Sequence, residues 1–100
     1  MILHGYWRSS AACRVRITLN LKGLHADPVA VALRHDAQHD PVFRALNPQG
    51  LVPVLQIGQA TLTQSLAILE YLDEACPRPP LLPKADTDRA RVRALALLIA

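Results

Sequence analysis

Residues 47–65 read NPQGLVPVLQIGQATLTQS, and this stretch decides the fold. The tetrapeptide 47–50 is typical of a turn, and Gly58-Gln59 is a second turn signal. Residues 52–57 predict a short strand with a proline near its start, where an N–H is not required. Residues 60–63 alternate apolar and polar side chains, which predicts a strand that pairs back on the first. We therefore expect a β-hairpin in the middle of the chain.

The residues upstream of this hairpin predict a strand, a helix and a second strand. Ile2–Leu3 fit a short first strand. Residues 10–22 contain neither proline nor glycine and are followed by Gly23, a helix stop signal. The apolar run PVAVAL at 28–33 is typical of a strand that is covered on both faces in a parallel sheet. These segments predict a βαβ unit of about 30 residues, and with the hairpin a mixed four-stranded sheet of the α/β class.

The other segments predict three helices and a linker. Residues 41–46 predict one or two helical turns. Ser65 is the expected N-cap of a helix whose apolar side chains recur at helical spacing until Pro77. Residues 76–84 hold four prolines and predict a surface linker. Residues 86–100 predict a helix with Asp and Thr as candidate caps, and its apolar end needs a partner surface, from another subunit or, as we favour, from the rest of a longer protein.

Composition excludes several classes of protein. Apolar residues make up 51% of the 100 residues, which is typical of a globular chain. We expect no membrane span and no secretory signal, because no apolar run approaches about 20 residues. Cys13 and Cys76 match neither a C-x-x-C motif nor the spacing of a zinc site. We therefore expect no disulfide framework, no metal site and a reducing, cytoplasmic setting.

The net charge of +3 is unevenly distributed. Residues 1–26 hold four basic side chains and no acidic one: Arg8, Arg14, Arg16 and Lys22. Such a cluster indicates either a solvated face or a site for an anion. Nucleic acid is a poor third candidate, because the basic residues are spaced apart and few aromatic side chains are present for stacking.

Three segments are candidates for one binding site, because ligands of open α/β sheets bind outside the carboxyl ends of the strands. In the first, Ser9 and Ser10 lie at a predicted helix N-terminus, where a hydroxyl either caps the helix or donates to an anion such as a thiolate. In the second, the backbone of Val52 could pair with a peptide ligand if the bond to the next proline is cis, which holds for only about 5% of such bonds. In the third, Gln64-Ser65 opens a helix that could hold a carboxylate.

Three stretches in this order resemble glutathione transferases of the zeta class: YWRSSAACRVRITLNLKG at 6–23, ALNPQGLVPVL at 45–55 and QSLAILEYLDEACPRPPLLP at 64–83. The resemblance covers the chain from Ile2 to about Ala100. It implies a thioredoxin-like domain (βαβ-α-ββα) at residues 1–82. It implies that residues 83–100 are a linker and the first helix of an all-helical C-terminal domain.

The resemblance also implies the residues of the site and the activity. Glutathione is the implied cofactor, held by the residues Gln38, Val52, cis-Pro53, Gln64 and Ser65. Ser9, with Ser10 beside it, would stabilise the thiolate, and Arg8 is expected to bind a carboxylate of the substrate. The implied reaction is the cis–trans isomerisation of a diacid of the maleylacetoacetate or maleylpyruvate type by a homodimer. Arg14 and Arg16 are expected to be structural or interfacial.

One departure keeps other functions open. The zeta class often has a cysteine where this chain has Ala11, and Cys13 lies about 200° further around the helix axis, so it does not replace that cysteine. Conjugation or dehalogenation with the same cofactor, and a non-catalytic interaction module, therefore remain alternatives. A disulfide reductase is a poor candidate because C-x-x-C is absent.

Overall fold

A computed structural model describes residues 1–100, which form four strands and four helices. Each helix that the sequence predicts is present, and its bounds differ from the prediction by at most one residue wherever both ends were predicted. Two short 3-10 turns, Leu33–His35 and Ala37–His39, precede the second helix. The elements in chain order are β1 (Ile2–Gly5), α1 (Ser10–Leu21), β2 (Asp27–Ala30), α2 (Pro41–Leu46), β3 (Val54–Ile57), β4 (Ala60–Thr63), α3 (Ser65–Ala75) and α4 (Asp86–Ile99).

The four strands form one mixed sheet in the order β2-β1-β3-β4. β1 runs parallel to β2, with Ile2 opposite Asp27, and antiparallel to β3, with Leu3 opposite Leu55. β3 pairs with β4 through a tight turn at Gly58, whose φ of +57° favours glycine. The predicted βαβ unit and hairpin are therefore both confirmed, and the arrangement is the thioredoxin-like one.

The prediction of a doubly covered strand at 28–33 is wrong. β2 ends at Ala30, and all four of its residues are exposed because β2 lies at the edge of the sheet with β1 as its only strand neighbour. The chain then turns inward, and Val31 is buried in a cluster with Phe43 and Val54. The apolar run is therefore divided between an edge strand and a core contact, which a continuous apolar pattern does not distinguish from a central strand.

Two apolar clusters hold the helices on opposite faces of the sheet. The smaller cluster joins Phe43 of α2 to Val54 of β3. Val54 and Leu55 are consecutive strand residues, so their side chains point to opposite faces. The sheet is therefore sandwiched between α2 on one face and α1 with α3 on the other. The buried members of the larger cluster, which joins α1 and α3 to β1 and β3, are Leu3, Val15, Leu19, Leu55, Ile68 and Leu72.

α4 differs from the prediction at its start. Ala85 is the N-cap residue and no side chain caps the helix, so the expected cap by Asp or Thr is wrong. Asp86 and Asp88 instead lie in the first turn, where carboxylates interact favourably with the helix dipole. No helix of the chain is both long and apolar enough to cross a membrane. The last turns of α4 expose apolar side chains, as expected: Leu95, Leu97, Leu98 and Ile99.

A buried lysine ties the proline-rich linker to the helices. Lys22 follows α1, and its side chain is fully buried. Its Nζ donates to Asp73 Oδ1 at 2.9 Å, to the Pro79 carbonyl at 2.8 Å and to the Cys76 carbonyl. All three donors of the ammonium group are therefore satisfied. We call this arrangement the Lys22–Asp73 clamp, since it joins the end of α1 to α3 and to the linker.

Asp73 accepts further hydrogen bonds from the linker backbone. Burial raises the pKa of Asp73, but hydrogen bonds from the Leu81 N–H, from Lys22 and from the Leu82 N–H, together with the charge of Lys22, outweigh it. The pKa of Asp73 therefore lies below its ordinary value of 3.8. The carboxylate is charged at neutral pH, and it fixes the path of the chain toward α4.

We expect Asp73→Asn to lower the free energy of unfolding by about 3–5 kcal/mol, because it leaves the buried Lys22 ammonium without a counter-charge. Asp88→Asn makes the same chemical change in an exposed ion pair with Arg91 and should cost about 0–1 kcal/mol. Urea unfolding followed by circular dichroism measures both values. Equal losses in the two variants would contradict the clamp.

The clamp also predicts acid sensitivity. Since the pKa of Asp73 is lower in the folded than in the unfolded chain, the unfolded chain binds more protons at acid pH. This stabilisation is present above the unfolded pKa and is lost as the pH falls below about 3.8 through the folded pKa. Melting temperatures measured from pH 5 to pH 2 should therefore fall more steeply for the wild type than for Asp73→Asn. Parallel curves would rule out this contribution.

Candidate functional site

The β1–α1 junction places two hydroxyl groups at a helix N-terminus. Ser9 is the N-cap of α1, and its Oγ accepts the Ala12 N–H at 3.1 Å. The Ser9 O–H remains able to donate, because capping uses only a lone pair of the oxygen. Ser10 is the first helical residue and is exposed. Capping the helix and donating to an anion are therefore compatible roles for Ser9.

A close contact between β1 and α1 sets the position of this N-terminus. A Cβ atom on Gly5 would lie 3.2 Å from the Cβ of Ala12, which is fully buried. Small residues on both sides let α1 start after a connection of residues 6–9 only. No acidic side chain occupies the first turn of α1, so its free N–H groups and its dipole favour a bound anion.

Asn47 anchors the turn that carries Val52-Pro53. Its side chain is buried, its Nδ2 donates to the Leu51 carbonyl at 2.8 Å and its Oδ1 accepts the Gln49 N–H at 3.1 Å. The Val52–Pro53 bond is cis, as the resemblance implied. The N–H and C=O of Val52 form no hydrogen bond within the chain, so both are available to an extended peptide ligand. Sequence reasoning identified this turn but missed the anchoring role of Asn47.

The start of α3 differs from the prediction, because Ser65 is not its N-cap. Gln64 holds that position with a φ of +69°, and no side chain caps the helix. Ser65 is already the first helical residue and is only 7% exposed. Gln64 Nε2 donates to Gln49 Oε1 at 2.8 Å, which ties the start of α3 to the turn at 47–50. Sequence reasoning did not single out Gln49, since 15 residues separate the two glutamines.

A cavity of about 480 Å³ brings two of the three expected segments together. Its wall includes Val52 and Pro53 from the second segment and Gln64 and Ser65 from the third. The first segment, residues 8–10, is not part of the wall, although Ala11 of the same helix is. The remaining wall residues are Arg14, Leu51, Leu66, Leu97 and Ala100.

Four predicted site residues lie outside this cavity: Arg8, Ser9, Ser10 and Gln38. Arg8 is exposed, and its Cζ lies 4.7 Å from the centre of the Trp7 ring, an arrangement that orients the guanidinium. Gln38 lies in a 3-10 turn, and its carbonyl oxygen is 3.1 Å from the position of a Cβ on Gly50, so it packs against the turn at 47–50. The Oε1 of Gln38 is buried and forms no hydrogen bond within the chain, so this side chain retains a free acceptor.

Comparison with known proteins gives a consistent family. Residues 3–80 match the family described as "Glutathione S-transferase, N-terminal domain". A probable maleylacetoacetate isomerase of Vibrio cholerae is 54% identical over 102 residues, which cover 100% of this chain and 47% of that protein. The chain therefore spans about half the length of the curated relatives that it matches.

Two solved structures extend the match to three dimensions. A maleylacetoacetate isomerase of Methylobacterium extorquens AM1, with bound malonate and glutathione, superimposes with a TM-score of 0.97 at 51% identity, covering 100% of this chain and 47% of that one. A bacterial maleylpyruvate isomerase, described as a zeta-class glutathione S-transferase, gives a TM-score of 0.93 at 49% identity, covering 96% of this chain and 45% of that one. The resemblance found in the sequence is confirmed, and the chain belongs to the glutathione S-transferase family, zeta class, with residues 3–80 matching its N-terminal domain.

Proposed function

We propose that this chain binds glutathione and activates its thiol in a cis–trans isomerase for diacids of the maleylacetoacetate or maleylpyruvate type. The observation that carries the proposal is the Ser9 hydroxyl, which caps α1 through its oxygen and keeps its O–H for an anion at the helix N-terminus. The names of the similar proteins, and the malonate and glutathione in one of them, support both the cofactor and the diacid.

The unused polar groups of this chain fit a tripeptide such as glutathione. The free N–H and C=O of Val52 suit its cysteinyl backbone, which would add as a short antiparallel strand. Ser65 and the N–H groups at the start of α3 suit its γ-glutamyl carboxylate, with Gln64 held beside them by Gln49. Gln38 can add a contact to one of its amide N–H groups only if its side chain turns out of the position in which its Oε1 is buried.

The reaction requires the chain to lower the pKa of the glutathione thiol and to bind a carboxylate of the substrate. When bound, glutathione supplies a thiolate that adds to the cis double bond and leaves after rotation about the resulting single bond, so it is regenerated. Ser9 and the α1 dipole lower the pKa of the thiol, because a hydrogen bond to a charged group contributes about 1.5–3 kcal/mol. Arg8 binds a substrate carboxylate through two parallel N–H groups. Its position over the Trp7 ring limits the conformational freedom of the Arg8 side chain.

The alternatives to the isomerase are conjugation or dehalogenation with glutathione and a non-catalytic interaction module, and they were left open because of Ala11. This residue contributes only a methyl group to the cavity, so the thiolate relies on Ser9 and on the backbone rather than on a second sulfur. A non-catalytic interaction module would not require both a free hydroxyl donor on Ser9 and an unpaired backbone at Val52. We therefore prefer the enzyme. We also propose a homodimer, and a cytoplasmic setting because both cysteines are free thiols.

In the whole protein, Ser9→Ala should lower the rate of glutathione-dependent isomerisation roughly 10- to 150-fold, because the thiolate loses a charge-assisted donor that contributes about 1.5–3 kcal/mol. Glutathione affinity should change less than threefold, since the backbone contacts persist. Ser9→Thr retains both the cap and the hydroxyl and should recover most of the rate, which separates this effect from loss of the cap. Unchanged turnover in Ser9→Ala would remove Ser9 from the mechanism.

Ser65→Ala should weaken glutathione binding at least tenfold by isothermal titration calorimetry, because it removes a hydroxyl donor from the γ-glutamyl carboxylate. The matched ligand is γ-aminobutyryl-cysteinyl-glycine, which lacks that carboxylate and should bind the wild type and the variant equally. If the variant loses the same affinity for both ligands, Ser65 does not bind the carboxylate.

A further inference from the structure

Arg14 is the only charged side chain in the wall of the 480 Å³ cavity. It lies on the second turn of α1, and it shares the wall with Val52, Gln64 and Ser65. The other wall residues contribute apolar side chains or uncharged polar groups. A single guanidinium in such a setting favours an anionic ligand, because the cavity offers no competing negative side chain.

The guanidinium of Arg14 lacks a partner within the chain. Its Nε is buried and forms no hydrogen bond, and Arg14 takes part in none of the ion pairs of the structure. The expectation from sequence was a structural or interfacial arginine, but a structural arginine normally satisfies its buried donors. Arg89 is the other arginine with a buried, unpaired Nε, and it lies on α4 outside this cavity.

Arg14 lies near the N-terminal end of α1, where we propose that Ser9 activates the thiol. Arg14 lies five residues after Ser9, about 7.5 Å further along the helix axis. The Cα–Cβ bond of a helical residue tilts toward the helix N-terminus, and Arg14 lines the same cavity as Ala11 of the first turn. Ala11, one turn before Arg14, presents only a methyl group, which leaves the approach to the guanidinium open.

We propose that Arg14 binds a carboxylate of the diacid, so that Arg8 and Arg14 hold the two carboxylates of the substrate on either side of Ser9. The proposal rests on the proposed function, and it assigns to Arg14 the discrimination between diacids and monoacids. The terminal N–H groups of Arg14 also have no partner in the chain and, unlike its Nε, are not buried, so they are the donors that a carboxylate can reach.

The test uses the whole protein saturated with glutathione, with succinate as an unreactive diacid and butyrate as a monoacid of the same length. Calorimetry should give at least tenfold tighter binding of succinate than of butyrate in the wild type. Arg14→Met keeps the apolar stem but removes the charge, and it should erase that preference while changing glutathione affinity less than threefold. Arg89→Met removes the other buried, unpaired Nε and should leave the preference unchanged.

The outcomes separate this proposal from the proposed function. If the wild type binds no glutathione, or isomerises the diacid without it, the proposed function fails. If glutathione binds and supports isomerisation but Arg14→Met still prefers succinate, the assignment of Arg14 alone is overturned. If Arg14→Met does not fold, Arg14→Lys decides: it keeps the charge without the planar fork and should reduce the preference several-fold, whereas an unchanged preference overturns the assignment.

Discussion

The close approach of α1 to the carboxyl end of β1 is the constraint on which the site depends. Gly5 and Ala12 make it possible, because neither carries a side chain that would separate helix from strand. The connection between them is therefore short, and Ser9, the N-cap of α1, follows the carboxyl end of β1 after only a few residues. The hydroxyl, the free N–H groups and the helix dipole then act in one place, which is the physical basis of thiol activation in the function we propose.

Much of the remaining site is backbone rather than side chain. In the function we propose, the N–H and C=O of Val52 and the first N–H groups of α3, which have no partner in the chain, bind the tripeptide. Backbone groups recognise a ligand only if the chain around them is held in place. Asn47 provides this for the turn at 47–50, and the hydrogen bond between Gln49 and Gln64 connects that turn to α3. These polar residues hold the backbone of the candidate site in place, and we assign them no role in the reaction itself.

The Lys22–Asp73 clamp serves the other end of the same helices. A buried ion pair is not by itself evidence for stability, because the two charges must be removed from water. Here every ammonium donor and both carboxylate oxygens have partners in α3 or the linker. The clamp therefore specifies the path of a proline-rich segment that has no regular hydrogen bonding of its own, and with it the place where α4 begins.

The local sequence pattern was enough to predict the helices, because proline, glycine and the spacing of apolar residues act within a few residues along the chain. The segments 41–46 and 60–63 have the bounds that the sequence predicted. Features that depend on neighbours in space were predicted wrongly or were not predicted. The exposed edge position of β2 is one case, and the replacement of Ser65 by Gln64 as N-cap of α3 is another.

The sequence by itself determined the elements, their order, the family resemblance and the candidate residues of the site, since each of these is written in local spacing and in motifs. Only the tertiary structure decided that the Ser9 hydroxyl both caps and can donate, that Asn47 and Gln49 hold the turn before Val52 and the start of α3, and that Arg14 is unpaired in the cavity wall. The physical reason is that hydrogen-bond partners and burial are set by residues far apart in the chain, which no local pattern specifies.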